Sequence, residues 1–208
     1  MPLQILSKAI GSRIIWVHEM LLSATRNLTE SQFSFQPQNK TTPSIAWHLW
    51  HIARWADRQQ AGLSDRSGMV DRSGVMATER WARQNLTIEW GLDPSTLGVF
   101  EVGSEMNAES VPLLSRLGRA RIMEYAVSAF SDFDSIVKNI SDEELCLPLK
   151  TATNVDFKPG VPGSLTVISP AEVCVIDDLL FHEGHASRHL GMIEALRGLV
   201  MANGTATV

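Results

Sequence analysis

The sequence predicts an all-α fold, an up-and-down four-helix bundle with long crossover connections. Three observations lead there. Four stretches, about 3–28, 45–57, 118–140 and 169–199, repeat apolar residues three or four apart, the period of a helix that buries one face. Two of them open on a Thr/Ser-Pro step, a helix-start signal. The two halves of the chain also run in the same order: a helix, an acidic turn (LTESQF, then ISDEEL), a proline-bearing linker, and a Pro-started helix carrying histidines. Four helices with long connections accommodate that order.

The first stripe is Leu3, Leu6, Ala9, Ile10, Ile14, Val17, Leu21 and Leu22, with Gly11 its weak point by helix propensity. His18, beside Glu19, reads as a surface or rim residue. Thr41-Thr42-Pro43-Ser44 starts the second helix, with a Thr cap and Pro at the first position. From Ile45 to Ala53 this helix is apolar nearly all round apart from His48 and His51, so it is expected to be buried among others. The glycine- and serine-rich stretch 62–78 contains a tandem echo, DRSGMV and DRSGVM, and reads as a loop near the site helix. No strand precedes it and no Gly-Lys-Ser/Thr step occurs, so it is not a phosphate-binding loop. A short helix is expected around Thr78–Trp90, with Trp81 and Leu86 packing down, and partial helix in 101–117. The third stripe is Ile122, Tyr125, Ala126, Ala129, Phe130, Phe133, Ile136, Val137 and Ile140. A connection from Pro148 to Gly163 and a brief extended SLTVIS lead to Ser169-Pro170-Ala171-Glu172, which carries the parts of a capping box. Val173, Ile176, Leu179, Leu180, Ile193 and Leu196 then mark the last helix, and Gly198 lies where helices end.

The 208 residues fit one domain, spanning 1–208 with an inserted region at about 62–117. A net charge of −5 argues against sequence-independent nucleic-acid binding and gives no support for an anionic membrane surface. No apolar run is long enough to span a bilayer, and the N-terminus lacks a signal-peptide pattern. Cys146 and Cys174 stand far apart in no metal or redox spacing, which suits a reducing compartment. A cytoplasmic protein is expected.

Five of the six histidines lie on the second and fourth helices. His185 and His189 are one turn apart and about 40° apart around the axis, with His182 about 60° from His185. An i, i+4 pair offers two imidazoles to one ion, and bundles build metal sites from inward residues of facing helices. One histidine of the second helix with His185 and His189 makes a three-nitrogen site with an open position, the pattern of catalytic rather than structural zinc. Glu183 and Glu194 point about 160° and about 140° away from the pair, and Asp57 lies far along its helix, so water or substrate is expected in the fourth position. Ligand type alone leaves zinc, nickel, iron and manganese open. The competing reading is a polar, histidine-rich face without a metal.

TTPSIAWHLWHIARWADRQ resembles the second-helix motif of the DinB-like (YfiT-like) family, in which a histidine precedes Ile/Leu-Ala and an acidic residue. HASRHLGMIEALRGL resembles that family's last-helix motif, HxxxH before a residue, glycine and an apolar run ending in Leu-Arg. LTESQFSFQP resembles its first connection. The likeness covers both halves and leaves out 62–117. It assigns the metal ligands to His51, which precedes Ile-Ala, and to His185 and His189, the latter before Leu190-Gly191. Met192 departs from the polar residue that often follows the family's glycine, and His48 and His182 are additional. The resemblance implies a compact, dimeric bundle with a divalent metal, zinc or nickel. It also implies a metal-dependent transferase or isomerase that takes a small-molecule substrate and a low-molecular-weight thiol such as mycothiol, bacillithiol or glutathione. Metal-dependent hydrolysis at the same site and a non-catalytic dimeric bundle are the alternatives. Trp47, Trp50 and Trp55 are expected in core or pocket wall, and Arg188 and Arg197 on a solvated face near the site helix.

Overall fold

A computed structural model describes residues 5–37, 42–64, 78–107, 109–148 and 174–200. Within them the chain is helical, and the only pairings of strand type are isolated bridges, Val99 with Ser104 and Pro148 with Cys174. Four helices of twenty residues or more carry the fold: α1 (Ile5–Arg26), α3 (Ile45–Ser64), α7 (Arg119–Asn139) and α9 (Val175–Leu199). Between them lie α2 (Glu30–Phe33), α4 (Arg80–Arg83), α5 (Leu86–Glu89), α6 (Val111–Ser115) and α8 (Asp142–Leu145).

The all-α expectation holds, and so does the expected burial of the second long helix. α1 and α3 each pack against both α7 and α9. Helices successive along the chain, α1 then α3 and α7 then α9, therefore lie diagonally opposite each other. α3 is buried on every side from Ile45 to Gly62, packed by α7 and α9 and by the short α2, α4 and α6. Its polar residues in that span must find partners inside the protein.

The two acidic turns fold alike. Thr29 and Gln32 close a capping box on α2, and Ser141 and Glu144 close one on α8. Other boundaries differ from the sequence reading. On α3 the cap is Ser44, whose Oγ accepts the Trp47 N–H at 3.2 Å, so Pro43 precedes the cap instead of following it. On α9 the first described residues are Cys174, at the cap, and Val175. Asp177 accepts the Cys174 N–H at 2.9 Å and, with Asp178, places negative charge at the helix N-terminus. The expected start at Ser169–Glu172, the SLTVIS piece and the tandem echo lie outside the described residues.

Most stripe residues are buried, including Ile14, Val17, Leu21, Phe130, Phe133, Leu179 and Ile193. Leu6 and Leu180 are exposed instead, since each sits on the outer edge of its helix. Gly11 is a contact point and not a defect: a Cβ there would lie 2.9 Å from the Val137 carbonyl oxygen of α7.

Candidate metal centre

α3 and α9 bring three imidazoles together. The His185 Nε2 lies 3.2 Å from the His51 Nε2 and 3.1 Å from the His189 Nε2, and the three residues form a group that could hold a metal ion. Two nitrogens bound at 2.0–2.1 Å to one ion stand about 2.9 Å apart at a right angle and about 3.4 Å apart at the tetrahedral angle. The observed separations fall in that interval. Among the described residues no carboxylate or cysteine joins the group. Glu183 pairs with Arg13 at 2.6 Å, and Asp57 is held within the protein by Tyr125 and backbone N–H groups of α4, as the angular argument from sequence requires.

The ring nitrogens behind the cluster decide which ones face inward. His51 Nδ1 donates to the Val102 carbonyl, a group that can only accept, so Nε2 carries the lone pair. His189 Nδ1 lies 2.8 Å from His48 Nδ1, so His48 backs the His189 ring. The Nδ1 atoms of His182 and His185 are buried without a hydrogen-bond partner among the described residues. Trp47 stacks on His51 with centroids 4.5 Å apart, while Trp55 and Phe181 flank His185 at 5.9 and 5.6 Å. The tryptophans of α3 are all buried, Trp47 and Trp55 against the histidine rings and Trp50 in the core.

Burial keeps these rings neutral. It drives His51 well below the ordinary value of 6.5, reinforced by the neighbouring His185 and opposed by the Val102 bond. It pushes His185 down to about 4, with Arg188 adding to the effect, and His48 down to about 4 as well. His189 is lowered by burial and then by the surrounding imidazoles. Neutral imidazole is the ligating form.

His182 looks elsewhere. Its Nε2 lies 2.8 Å from His18 Nε2, and His18 Nδ1 donates to Asp134 of α7 at 2.7 Å. His18 is fully buried and stacked on Phe130 at 4.1 Å, which corrects its reading as a rim residue. Its adjacency to Glu19 misled, because successive helical residues point about 100° apart. The signal was its place in the stripe, about 40° from Ile14 and about 60° from Leu21. The role of Val102 left no mark in the sequence, since a backbone carbonyl belongs to every residue. Arg197 is likewise no freely solvated residue: it donates to the Ala24 carbonyl of α1 and pairs with Glu194.

The family model described as DinB superfamily matches residues 13–193. The chain belongs to the DinB superfamily. That span takes in His51, His185 and His189 together with the segment 62–117. A crystal structure titled as the conserved protein of locus from Enterococcus faecalis superposes with a TM-score of 0.65 at 18% identity, covering 95% of this chain and 98% of that one. That likeness concerns the fold. A search of curated proteins finds no match. No described helix is long and apolar enough to cross a membrane.

Proposed function

We propose that His51, His185 and His189 hold a divalent cation, zinc or nickel, and that this DinB-superfamily protein is a transferase joining a low-molecular-weight thiol to an electrophilic small molecule. The observation that carries the reading is the convergence of three neutral Nε2 atoms from two helices with no fourth donor from the described residues. A cation there supplies Lewis acidity that favours the thiolate, the nucleophilic form of a thiol. The ligands are all uncharged, so they leave the cation's positive charge undiminished for an anionic sulfur. Exposed Arg188, three residues from His185, adds to that field. Trp47, Trp55 and Phe181 give the site apolar walls that exclude water from the rings they touch.

The protein's own thiols are placed for other things. Cys146 is exposed after α8, and Cys174 caps α9 about two turns before His182. The reacting sulfur therefore arrives with a cosubstrate.

The test is metal analysis of the purified full chain after loading with zinc or nickel, followed by thiol consumption in the presence of a generic aryl halide. The expected outcome is stoichiometric metal, thiol loss that depends on it, and loss of both in His51→Ala. Ester hydrolysis without thiol consumption would move the assignment to a hydrolase. A protein without stoichiometric metal, with His189→Ala indistinguishable from the parent, removes both enzyme readings.

A further inference from the structure

The residues after α5 form a closed turn lying along α3, and its register against that helix is regular. Arg54 meets the carbonyls of Phe100 and Glu101, at 3.3 and 3.0 Å. One helical turn earlier His51 meets the carbonyl of Val102. Trp50 and Trp47 pack on Gly103, where a Cβ would stand 2.9 and 3.1 Å from their rings and 3.2 Å from His51 Nδ1. The Trp47 indole N–H reaches the Met106 sulfur at 3.3 Å. The turn is closed by the Val99 N–H on the Ser104 carbonyl and the Gly103 N–H on the Leu97 carbonyl, both at 2.8 Å.

This backbone does not hold its shape by local preference. Phe100, Glu101 and Glu105 have φ of 55°, 53° and 58°, the left-handed region that side chains disfavour, and Gly103 has 89°. Such a conformation persists where its surroundings enforce it, and such places cluster at functional sites. Arg54 ties this turn to α3. It is fully buried and all five of its N–H donors are engaged: Nε on Glu101, one terminal nitrogen on Asp57 and the Tyr125 hydroxyl, the other on Glu79 and Phe100. From the far side the Glu101 carboxylate accepts from the Trp81 indole and the Thr87 hydroxyl, both at 2.6 Å, and the Arg58 guanidinium covers the Phe100 ring at 3.9 Å.

We propose that Arg54 is a positioning residue of the three-histidine site: by locking the strained 100–105 turn it aims the Val102 carbonyl at His51, fixes His51 as the Nδ1–H tautomer, and so presents its Nε2 to the cation. This rests on the cation reading above. It assigns to the segment between α3 and α7 the supporting layer of a ligand, in the place where metal-bound histidines commonly have a carboxylate or carbonyl. Lysine cannot substitute, since three donors on one nitrogen do not span two carboxylates, a hydroxyl and two carbonyls.

The experiment uses the full chain, first without metal. Nitrogen-15 ring spectra of histidine-labelled protein are expected to show His51 as the Nδ1–H tautomer in the parent and as a mixture, or as Nε2–H, in Arg54→Lys. Zinc affinity, from competition with a chromophoric chelator, is expected to fall about 10- to 100-fold in Arg54→Lys. Thermal unfolding and helical dichroism report whether that variant is folded. Should it not fold, Tyr125→Phe removes one partner of Arg54 without contacting His51 and is expected to give the same two changes in smaller measure. A parent protein with His51 as Nε2–H overturns the proposal, as does a folded variant with zinc affinity within twofold of the parent and an unchanged tautomer. Zinc that the parent itself does not bind overturns the cation reading as well, whereas zinc bound equally by parent and variant overturns only the role of Arg54.

Discussion

His48 shows how a single side chain shapes this site without belonging to it. It is the additional histidine of α3, one turn before His51, and sequence spacing alone leaves either of them facing inward. The structure gives them different partners. His51 points its Nε2 at His185, and His48 reaches behind the cluster to Nδ1 of His189. If His189 Nε2 ligates the proposed cation, its Nδ1 carries the proton and His48 Nδ1 accepts it. Replacing His48 by leucine leaves that buried donor without a partner and lets the His189 ring turn. Zinc affinity is expected to weaken about 10- to 100-fold in His48→Leu and to recover in part in His48→Asn, which still offers an acceptor. A chelator-competition titration measures both. Equal affinity in the parent and His48→Leu would show that His189 needs no support from α3.

At the level of the element, Gly11 sets two principles against each other. Helix propensity alone makes Gly→Ala in the middle of α1 a gain of about 1 kcal/mol. The packing says the reverse, since the new methyl would stand 2.9 Å from the carbonyl oxygen of Val137, and a helix backbone cannot rotate aside as a long side chain does. Prising α1 from α7 is expected to cost about 1–3 kcal/mol. Gly11→Ala should therefore lower the urea midpoint, and a rise would mean that the two helices separate freely at this crossing. The same example marks what the sequence could disclose. The four long helices were legible because apolar residues at three and four spacing report the buried face whatever lies opposite. Two short helices read from sequence only as acidic turns carry capping boxes, Thr29–Gln32 and Ser141–Glu144, whose spacing was there to be read. His185 and His189 were legible as a pair, and the family motif singled out His51 over His48. Contacts that use the backbone were not legible: the Val137 carbonyl at Gly11, the Val102 carbonyl at His51, and the left-handed turn at 100–105. Arg54 left a fainter trace. It is a charged residue adjoining a segment apolar all round, and such a residue must have its partners inside.

For the molecule as a whole, the consequence of enclosing so many imidazoles is a stability that depends on pH. All six histidines are held below their ordinary value of 6.5, each with burial as the leading cause. For His18 the nearby Asp134 opposes that effect without reversing it. Above pH 7.5 the rings are neutral both folded and unfolded, so they contribute no pH dependence. As pH falls through 6.5 the unfolded chain takes up protons that the folded chain refuses, and the equilibrium moves toward unfolding. The loss continues down to about pH 4, where His48 and His185 accept protons in the fold. Each proton bound only by the unfolded chain removes about 1.4 kcal/mol per pH unit. Two such protons already remove about 5 kcal/mol between pH 6.5 and 4.5, against a typical domain stability of about 5–15 kcal/mol. The exposed carboxyls of Asp93 and Asp142, lowered by their hydrogen bonds, act below this window. Urea midpoints measured from pH 8 to 4.5 should therefore be level down to about pH 7 and then fall steeply. Under the proposed cation reading, zinc takes the neutral imidazoles of the folded chain, so saturating zinc should raise every midpoint and carry the acid transition to lower pH. A midpoint unchanged between pH 7 and 5 would mean that the imidazoles reach water in the native protein and that the enclosed three-histidine centre does not exist in solution.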